Sequence, residues 1–306
     1  MPIFNGQSQT IIYDPITGIL TDASGNVISG VASYTWAQFT AGDFDTSIAR
    51  YVHVSDRHST TDGTSTPGSL WRIDPSAASA RKRNLMSGPI YFATLAAAPD
   101  PASWPNLKIF AANIGVSGAE MVSNATVYRL IQPYVTLANN LSLLSRAKGS
   151  SPDITTEWQP LPVRLYRDIN NRCVMQNGDY LVIHNAWAEK TGTTDTLSVQ
   201  IRFGTGNAIT DTSILAGTAT GTAAQIERII RFMEIGRVDN VTVRNRGLQS
   251  TVFQNGPLTT ARGADITVPN MDSASDSYLN IGMYTSGLTD TALGLREYEV
   301  RLVKGY

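Results

Sequence analysis

Apolar and polar residues alternate along much of this chain. In "LREYEVRLVKGY" (295–306), Tyr298, Val300 and Leu302 fall on one side and Glu297, Glu299 and Arg301 on the other, the period of a half-buried β-strand. From about residue 156 similar runs recur: "PVRLYR", "RCVMQ", "DYLVIHNAWAE", "DTLSVQIRFG", "NVTVRNR", "STVFQN", "YLNIGMYTS" and the final "REYEVRLVK". Asn-Gly, Thr-Gly and Ser-Gly turns separate them. About eight strands with regular turns predict a β-sandwich, jelly-roll-like, over 156–306. One run reads two ways. "AQIERIIRFMEIG" (224–236) sets Ile226, Ile229, Ile230 and Met233 at helical spacing, whereas its Ile and Phe content and its place among strands favour a strand. In a jelly roll the last strand can be central and paired on both sides, which puts Val300 and Leu302 in the core and Val303 on the other face. An edge strand in a monomer is the alternative.

The first half has a different texture. Residues 1–33 hold short apolar runs cut by Asp14-Pro15, Thr17-Gly18 and Ser24-Gly25-Asn26, which predicts an extended arm ordered against another surface. Two small β modules follow, 34–88 and 89–137, related by a loose duplication. Ala37-Gln38-Phe39 parallels Ala93-Thr94-Leu95, "ARYVHVSD" (49–56) parallels "LKIFAANI" (107–114), and "GSLWRID" (68–74) parallels "GAEMVSN" (118–124). Residues 138–155 read as a linker, with a helical turn or two in "LSLLSRA" and a flexible "KGSSPD". The fold class is therefore all-β: arm, two modules in tandem, linker and C-terminal sandwich.

Composition sharpens this picture. Charged residues make up 16%, against roughly 25% in ordinary soluble domains, and hydroxyl, amide and glycine residues take their place. A net charge of −1 argues against a nucleic-acid-binding protein, and the cluster Arg81–Arg83 reads as a solvated loop. The single cysteine, Cys173, excludes an internal disulfide and a cysteine metal cage. "MPIFNGQSQT" lacks the basic and apolar regions of a signal peptide, and no apolar run reaches the ~20 residues a membrane span needs. Synthesis in the cytoplasm, without membrane insertion, is the expectation. The sequons at Asn124, Asn140 and Asn240 carry no meaning in that setting.

Candidate chemistry is sparse. His53, His58 and His184 are not spaced as zinc ligands. "GVSG" (115–118) falls short of a nucleophile elbow, and "FGTGNA" (203–208) is not followed by a helical pattern. Asp272 and Asp276 in "MDSASDSY" fit a hydrogen-bonded turn better than a calcium loop. Neither a cofactor, a metal nor an enzymatic activity is expected.

The residues 107–131, "LKIFAANIGVSGAEMVSNATVYRLI", resemble a module of tailed-bacteriophage fibre and appendage proteins. Its lead is "ATLAAAPDPASWP" and its closing pattern is Met121, Ser123, Asn124, Tyr128 and Arg129, with Ala125 where the module carries glycine. The stretch "YTWAQF…YVHVSD…GSLWRID" looks like a more divergent copy, and 150–306 is similar in style to trimeric jelly-roll tips. The resemblance implies a virion location after synthesis in the host cytoplasm, a homotrimer, and attachment to other virion proteins through the arm. For that attachment the arm offers Phe4, Ile11, Ile12, Tyr13 and Ile16. Loops at 187–194, 204–211 and 254–262 would meet a host glycan or protein, with Trp187, Lys190, Asn207, Asp211, Gln254, Asn255 and Arg262 as contact residues. The expected function is a tail-fibre or receptor-binding subunit. The alternatives are a capsid- or collar-attached decoration protein and, further off, a glycan-degrading tailspike, whose short β-helix period is not visible here.

Overall fold

The computed structural model describes residues 2–4, 10–13, 19–25, 27–29, 32–41, 50–55, 68–73, 83–85, 88–160, 162–206, 208–220, 225–249 and 263–305. The chain divides into two compact units, Met1–Ala112 with Gly118–Ile131, and Asn113–Ser117 with Gln132–Tyr306. Both are built from strands.

In the first unit, β1 (Pro2–Phe4), β2 (Thr10–Tyr13), β3 (Leu20–Thr21) and β4 (Val27–Ser29) pair in chain order as an antiparallel meander. The stretch expected to be an arm thus satisfies backbone groups on itself. Two further sheets share one topology. In the first, β5 (Ala32–Tyr34) lies parallel to β6 (Arg50–Val54), which continues antiparallel into β7 (Ser69–Ile73) and β8 (Arg83–Leu85). In the second, β9 (Ile90–Phe92) lies parallel to β10 (Lys108–Ala111), followed by antiparallel β11 (Ala119–Ser123) and β12 (Tyr128–Leu130). A parallel pair needs a crossover. Here it carries a short helical turn, α1 (Trp36–Ala41) in one copy and a 3-10 turn (Leu95–Ala97) in the other, burying Phe39 and Leu95 respectively. Pairing corrects the alignment of the copies by one residue: Val52 corresponds to Ile109, not to Phe110, because each lies two residues before the strand end that faces the glycine-led hairpin strand. Such a slip exchanges the two faces of a strand, and Val52 and Ile109 are both fully buried. Rings from both copies meet in one cluster. Trp104 lies 5.5 Å from Trp36 and 5.7 Å from Trp71, and Phe39 lies 4.8 Å from Trp71.

The second unit contains β13 (Tyr134–Asn140), β14 (Leu144–Ala147), β15 (Pro162–Leu165), β16 (Tyr180–Thr191), β17 (Thr196–Gly204) and β18 (Thr212–Thr220). It continues with β19 (Gln225–Arg237), β20 (Thr242–Gln249), β21 (Asp265–Thr267), β22 (Ser277–Thr285), β23 (Ala292–Arg296) and β24 (Tyr298–Val303). One sheet runs β13-β24-β16-β19-β20-β21, with β14 and β23 extending β13 and β24; the other runs β15-β22-β17-β18. Four outermost-to-innermost pairs, β13 with β24, β15 with β22, β16 with β19 and β17 with β18, make an antiparallel ribbon folded on itself. Wrapping that ribbon adds the contacts β16–β24 and β17–β22. This is a jelly roll, with β20 and β21 added to one sheet. The stretch 225–237 is a strand, so its tertiary place overrides its helical spacing.

The last strand is central, bonded to β13 and to β16, and Tyr298, Val300 and Leu302 point inward and are buried. Leu181, Ile183, Met233 and Ile235 extend that buried layer, and Val199, Ile201, Phe203, Leu279 and Ile281 supply it from the second sheet. Three expectations are corrected. Residues 138–155 are not a linker throughout, because 138–140 complete β13 and 144–147 form β14 against β23. The second half of "LSLLSRA", 144–147, is accordingly strand rather than helix, since β23 offers it a backbone ladder, and 141–143 form the break before it. "RCVMQ" forms a single bridge, Cys173 with Arg167, inside a loop. "STVFQN" lies outside the described residues.

In the second module, β9–β12, the residues of the closing pattern have visible roles. Ser123 Oγ donates to the Pro101 carbonyl at 2.8 Å and Tyr128 OH to that of Pro99 at 2.9 Å, holding the lead loop. Asn124 Oδ1 accepts from the N–H groups of Thr126 and Val127. Ala125 has φ 69°, the left-handed conformation that suits the glycine of the pattern. Ala125→Gly should therefore stabilise the first unit by about 1 kcal/mol, read as a higher denaturant midpoint for its transition. An unchanged or lower midpoint would show that the turn is unstrained.

Candidate functional site: the loop ends of the jelly roll

The ribbon places loops at two opposite ends. One end carries the turns 192–195 and 286–291, between β16 and β17 and between β22 and β23. The other carries 166–179, 205–211, 238–241 and 268–276, beside the start of β13. The loops predicted at 187–194 and 204–211 thus lie at opposite ends, and the structure does not bring them together.

At the first end two turns are clasped by carboxylates. Asp195 Oδ2 accepts from the N–H groups of Thr289 and Asp290, at 2.7 and 2.8 Å. Asp290 in return accepts from the N–H groups of Thr194 and Asp195, at 3.2 and 3.3 Å. Lys190 Nζ closes the arrangement, 2.6 Å from Asp290 Oδ2 and 3.2 Å from the Gly192 carbonyl. Burial alone would raise the Asp290 carboxyl, but the Lys190 ammonium and the backbone donors outweigh it and hold it below its ordinary value. Lys190, predicted as a surface contact, is 5% exposed: its ammonium is consumed by an internal ion pair. Trp187 is half-buried on β16.

At the second end Arg237 is the hub. Its side chain is buried and donates to the Met175 carbonyl at 2.5 Å, to the Asp239 carbonyl at 3.2 Å and to Asp272 Oδ2 at 2.5 Å. Asp272 Oδ1 also accepts from the Cys173 N–H at 2.9 Å. Asp276 pairs with Arg164 and Arg167. The two aspartates once compared with a calcium loop are thus each matched by arginine, as in a hydrogen-bonded turn. Burial pushes the Cys173 thiol up to about 12, which keeps it protonated at neutral pH. Asp168 is raised by burial, against the N–H groups of Asn170 and Arg172 that it accepts at 2.8 and 3.0 Å. Asp211, another predicted contact, accepts from the N–H groups of Gly206 and Ala208 and shapes its own turn. After Gly204 and Gly206 the chain turns at 209–210 and enters β18.

Asn207, Gln254, Asn255, Arg262 and, in the first unit, Ile16 lie outside the described residues. Phe4 is on β1, and Ile11, Ile12 and Tyr13 are on β2. His184 is half-buried on β16, 5.5 Å from the Phe232 ring; burial and Arg301 lower its pKa, against Glu299. Sequence reasoning missed Asp195, Asp290 and Arg237 because their partners are distant in the chain. Acidic residues in Thr- and Gly-rich turns were the available hint for the first two.

No family model matches the sequence, and no curated protein matches it. Solved structures that resemble the chain include the infectious bursal disease virus VP2 subviral particle, at 10% identity and a TM-score of 0.26, over 85% of this chain and 54% of that one. Structures of the Gt and Gx strains of the same virus have TM-scores of 0.24 at 10% and 9% identity, covering 83% and 97% of this chain and 53% and 63% of theirs. The chain spans less than two thirds of each. The jelly-roll assignment rests on strand pairing.

Substitutions at the two buried carboxylates have distinct expected outcomes. Asp290→Ala leaves Lys190 buried without its carboxylate and should cost about 3 kcal/mol, whereas Lys190→Met with Asp290→Leu should cost less than the sum of the single changes. Because the folded-state pKa of Asp290 is depressed, its contribution is present above its ordinary value near 3.8 and is lost as pH falls through the folded value. Asp290→Asn should flatten that acid limb in denaturation measured across pH. Asp168 has the opposite sign: its raised pKa favours the protonated form in the folded state, a contribution lost as pH rises through the folded value. Asp168→Asn should therefore hold stability at pH 7, while Asp168→Ala, which orphans two N–H groups, should lose about 1–2 kcal/mol.

Proposed function

We propose that this chain is a virion structural protein and, more narrowly, a tail-fibre or receptor-binding subunit working as a homotrimer. In this reading the first unit anchors the protein to other virion components through Phe4, Ile11, Ile12, Tyr13 and Ile16. The jelly roll presents a surface to a host glycan or protein. The observation that carries the reading is the wrapped-ribbon topology, an architecture that recurs in viral capsid and lectin domains. The phage-like module adds support, since Ser123, Asn124 and Tyr128 act in it as a working turn motif. Leu141 (84% exposed) and Leu143 (43%) at the break between β13 and β14 are apolar side chains that burial against another copy would cover. The turns 192–195 and 286–291, at the end away from the start of β13, are the outward-facing candidates. The reading assigns the chain binding and scaffolding, with no catalytic step, cofactor, nucleic acid or membrane insertion.

Light scattering of the full-length protein should give three times the 33.0 kDa chain mass. A monomer at micromolar concentration would sink the trimer. Purified protein added to host cells should reduce subsequent particle adsorption several-fold. Unchanged adsorption would remove the receptor role.

A further inference from the structure

Among the described residues, the ion pairs of this chain use arginine with one exception, Lys190 with Asp290. The difference matters chemically. A guanidinium stays protonated and is no nucleophile, whereas a lysine amine can bond to carbon. This pair is also the most enclosed of them, with side chains 4% and 1% exposed. β16 carries Lys190 to the end of the larger sheet, opposite the buried Leu293 of β23, and Asp290 stands in the turn that leads into β23.

The surroundings favour a reaction between the two side chains. Nζ lies 2.6 Å from Oδ2, which puts the carboxyl carbon about 3–3.5 Å away, the separation of a near-attack pair. Backbone N–H groups point at both carboxyl oxygens, Thr194 at Oδ1 and Asp195 at Oδ2. Donors so placed stabilise an oxyanion as a tetrahedral centre forms. The turns also fit closely. A Cβ on Gly192 would collide with the Asp290 carboxylate, and Asp195 Oδ2 fixes the N–H groups of Thr289 and Asp290. Amine and carboxylate, 100 residues apart in the chain, are held face to face and away from water.

Independently of any role in a virion, we infer that Lys190 and Asp290 condense to an isopeptide bond that clamps β16 to the turn before β23. The ammonium–carboxylate pair contains every atom the step needs. One proton passes from Nζ to Oδ2 along their hydrogen bond, and Nζ attacks Cγ. The negative charge of the tetrahedral centre falls on Oδ1, against the Thr194 N–H. A second Nζ proton goes to Oδ2, the Cγ–Oδ2 bond breaks and one water leaves. No oxidant, reductant or activated donor takes part. Condensation replaces two buried charges, which are costly to desolvate, by a neutral amide. That amide keeps the Gly192 carbonyl as acceptor for its N–H and the Thr194 N–H as donor to Oδ1. With a single cysteine the chain has no internal disulfide, and this bond supplies a covalent brace by other chemistry. The acid limb of Asp290 belongs to the chain before condensation, since the amide does not titrate.

Intact-mass spectrometry of the full-length protein, held for days at neutral pH, tests this. The expected mass lies about 18 Da, one water, below that of the sequence. A tryptic digest should contain a branched peptide joined through Lys190 and Asp290. Lys190→Arg keeps the charge pair but has no condensing amine, and it should show its full sequence mass whether or not it folds well. Full sequence mass in the wild-type protein would overturn the inference. So would a loss of water that persists in Lys190→Arg, or one that maps to a single unbranched peptide. The wild-type mass requires no variant and is decisive by itself.

Discussion

The jelly roll depends on β16. Every residue of a strand exposes a backbone donor and acceptor, and burying them unpaired costs more than any side-chain contact nearby restores. The twelve residues of β16 are paired along one edge by β19 and along the other by two strands in succession, β24 against Tyr180–His184 and β23 against Trp187–Thr191. The change of partner is made at a kink. Asn185 has φ 52° on one strand and Glu297 has φ 26° on the other, both left-handed, with a register shift between Ala186 and Trp187. β13 and β14 repeat the break against β24 and β23, leaving Leu141 and Leu143 outside. One bent ladder thus sets the path of five strands and the positions of both loop ends.

The ion pairs serve this ladder. Lys190 stands on β16 and Asp290 just before β23, and their contact fixes the end of the ladder that two strands share. Arg237, at the last position of β19, does the same at the other end by holding the loops at Met175 and Asp272. On the outer face of the smaller sheet, Arg202 of β17 grips Glu157 at 2.6 Å, and Gly282 of β22 leaves the space the Glu157 side chain occupies. Charge is scarce in this protein, and much of it inside the jelly roll is used to pin loops that have little apolar surface of their own.

The first unit solves its problem differently. Its strands are two to five residues long, too short to bury a core sheet by sheet. Trp36, Phe39, Trp71, Phe92 and Trp104 gather rings from both four-stranded modules into one cluster, so that duplication yields a shared core.

Alternation with period two determined much of this from sequence alone. The strands at 180–191, 196–204, 277–285 and 298–303, the inward set Tyr298, Val300 and Leu302, and the all-β class are local properties, since a strand face is written in adjacent residues. The candidate contacts were less legible. Lys190 in a polar hairpin reads as exposed until Asp290 arrives from a hundred residues away. Residues 225–237 carry helical spacing and become a strand only because β16 and β20 wait on either side. Leu144–Ala147, the second half of "LSLLSRA", extends because β23 is beside it, and Val52 matches Ile109 because pairing, not spacing, sets register. The sequence by itself decided which residues face inward along a strand. Only the tertiary structure decided which strands meet, because a ladder needs a partner whose identity no local pattern records.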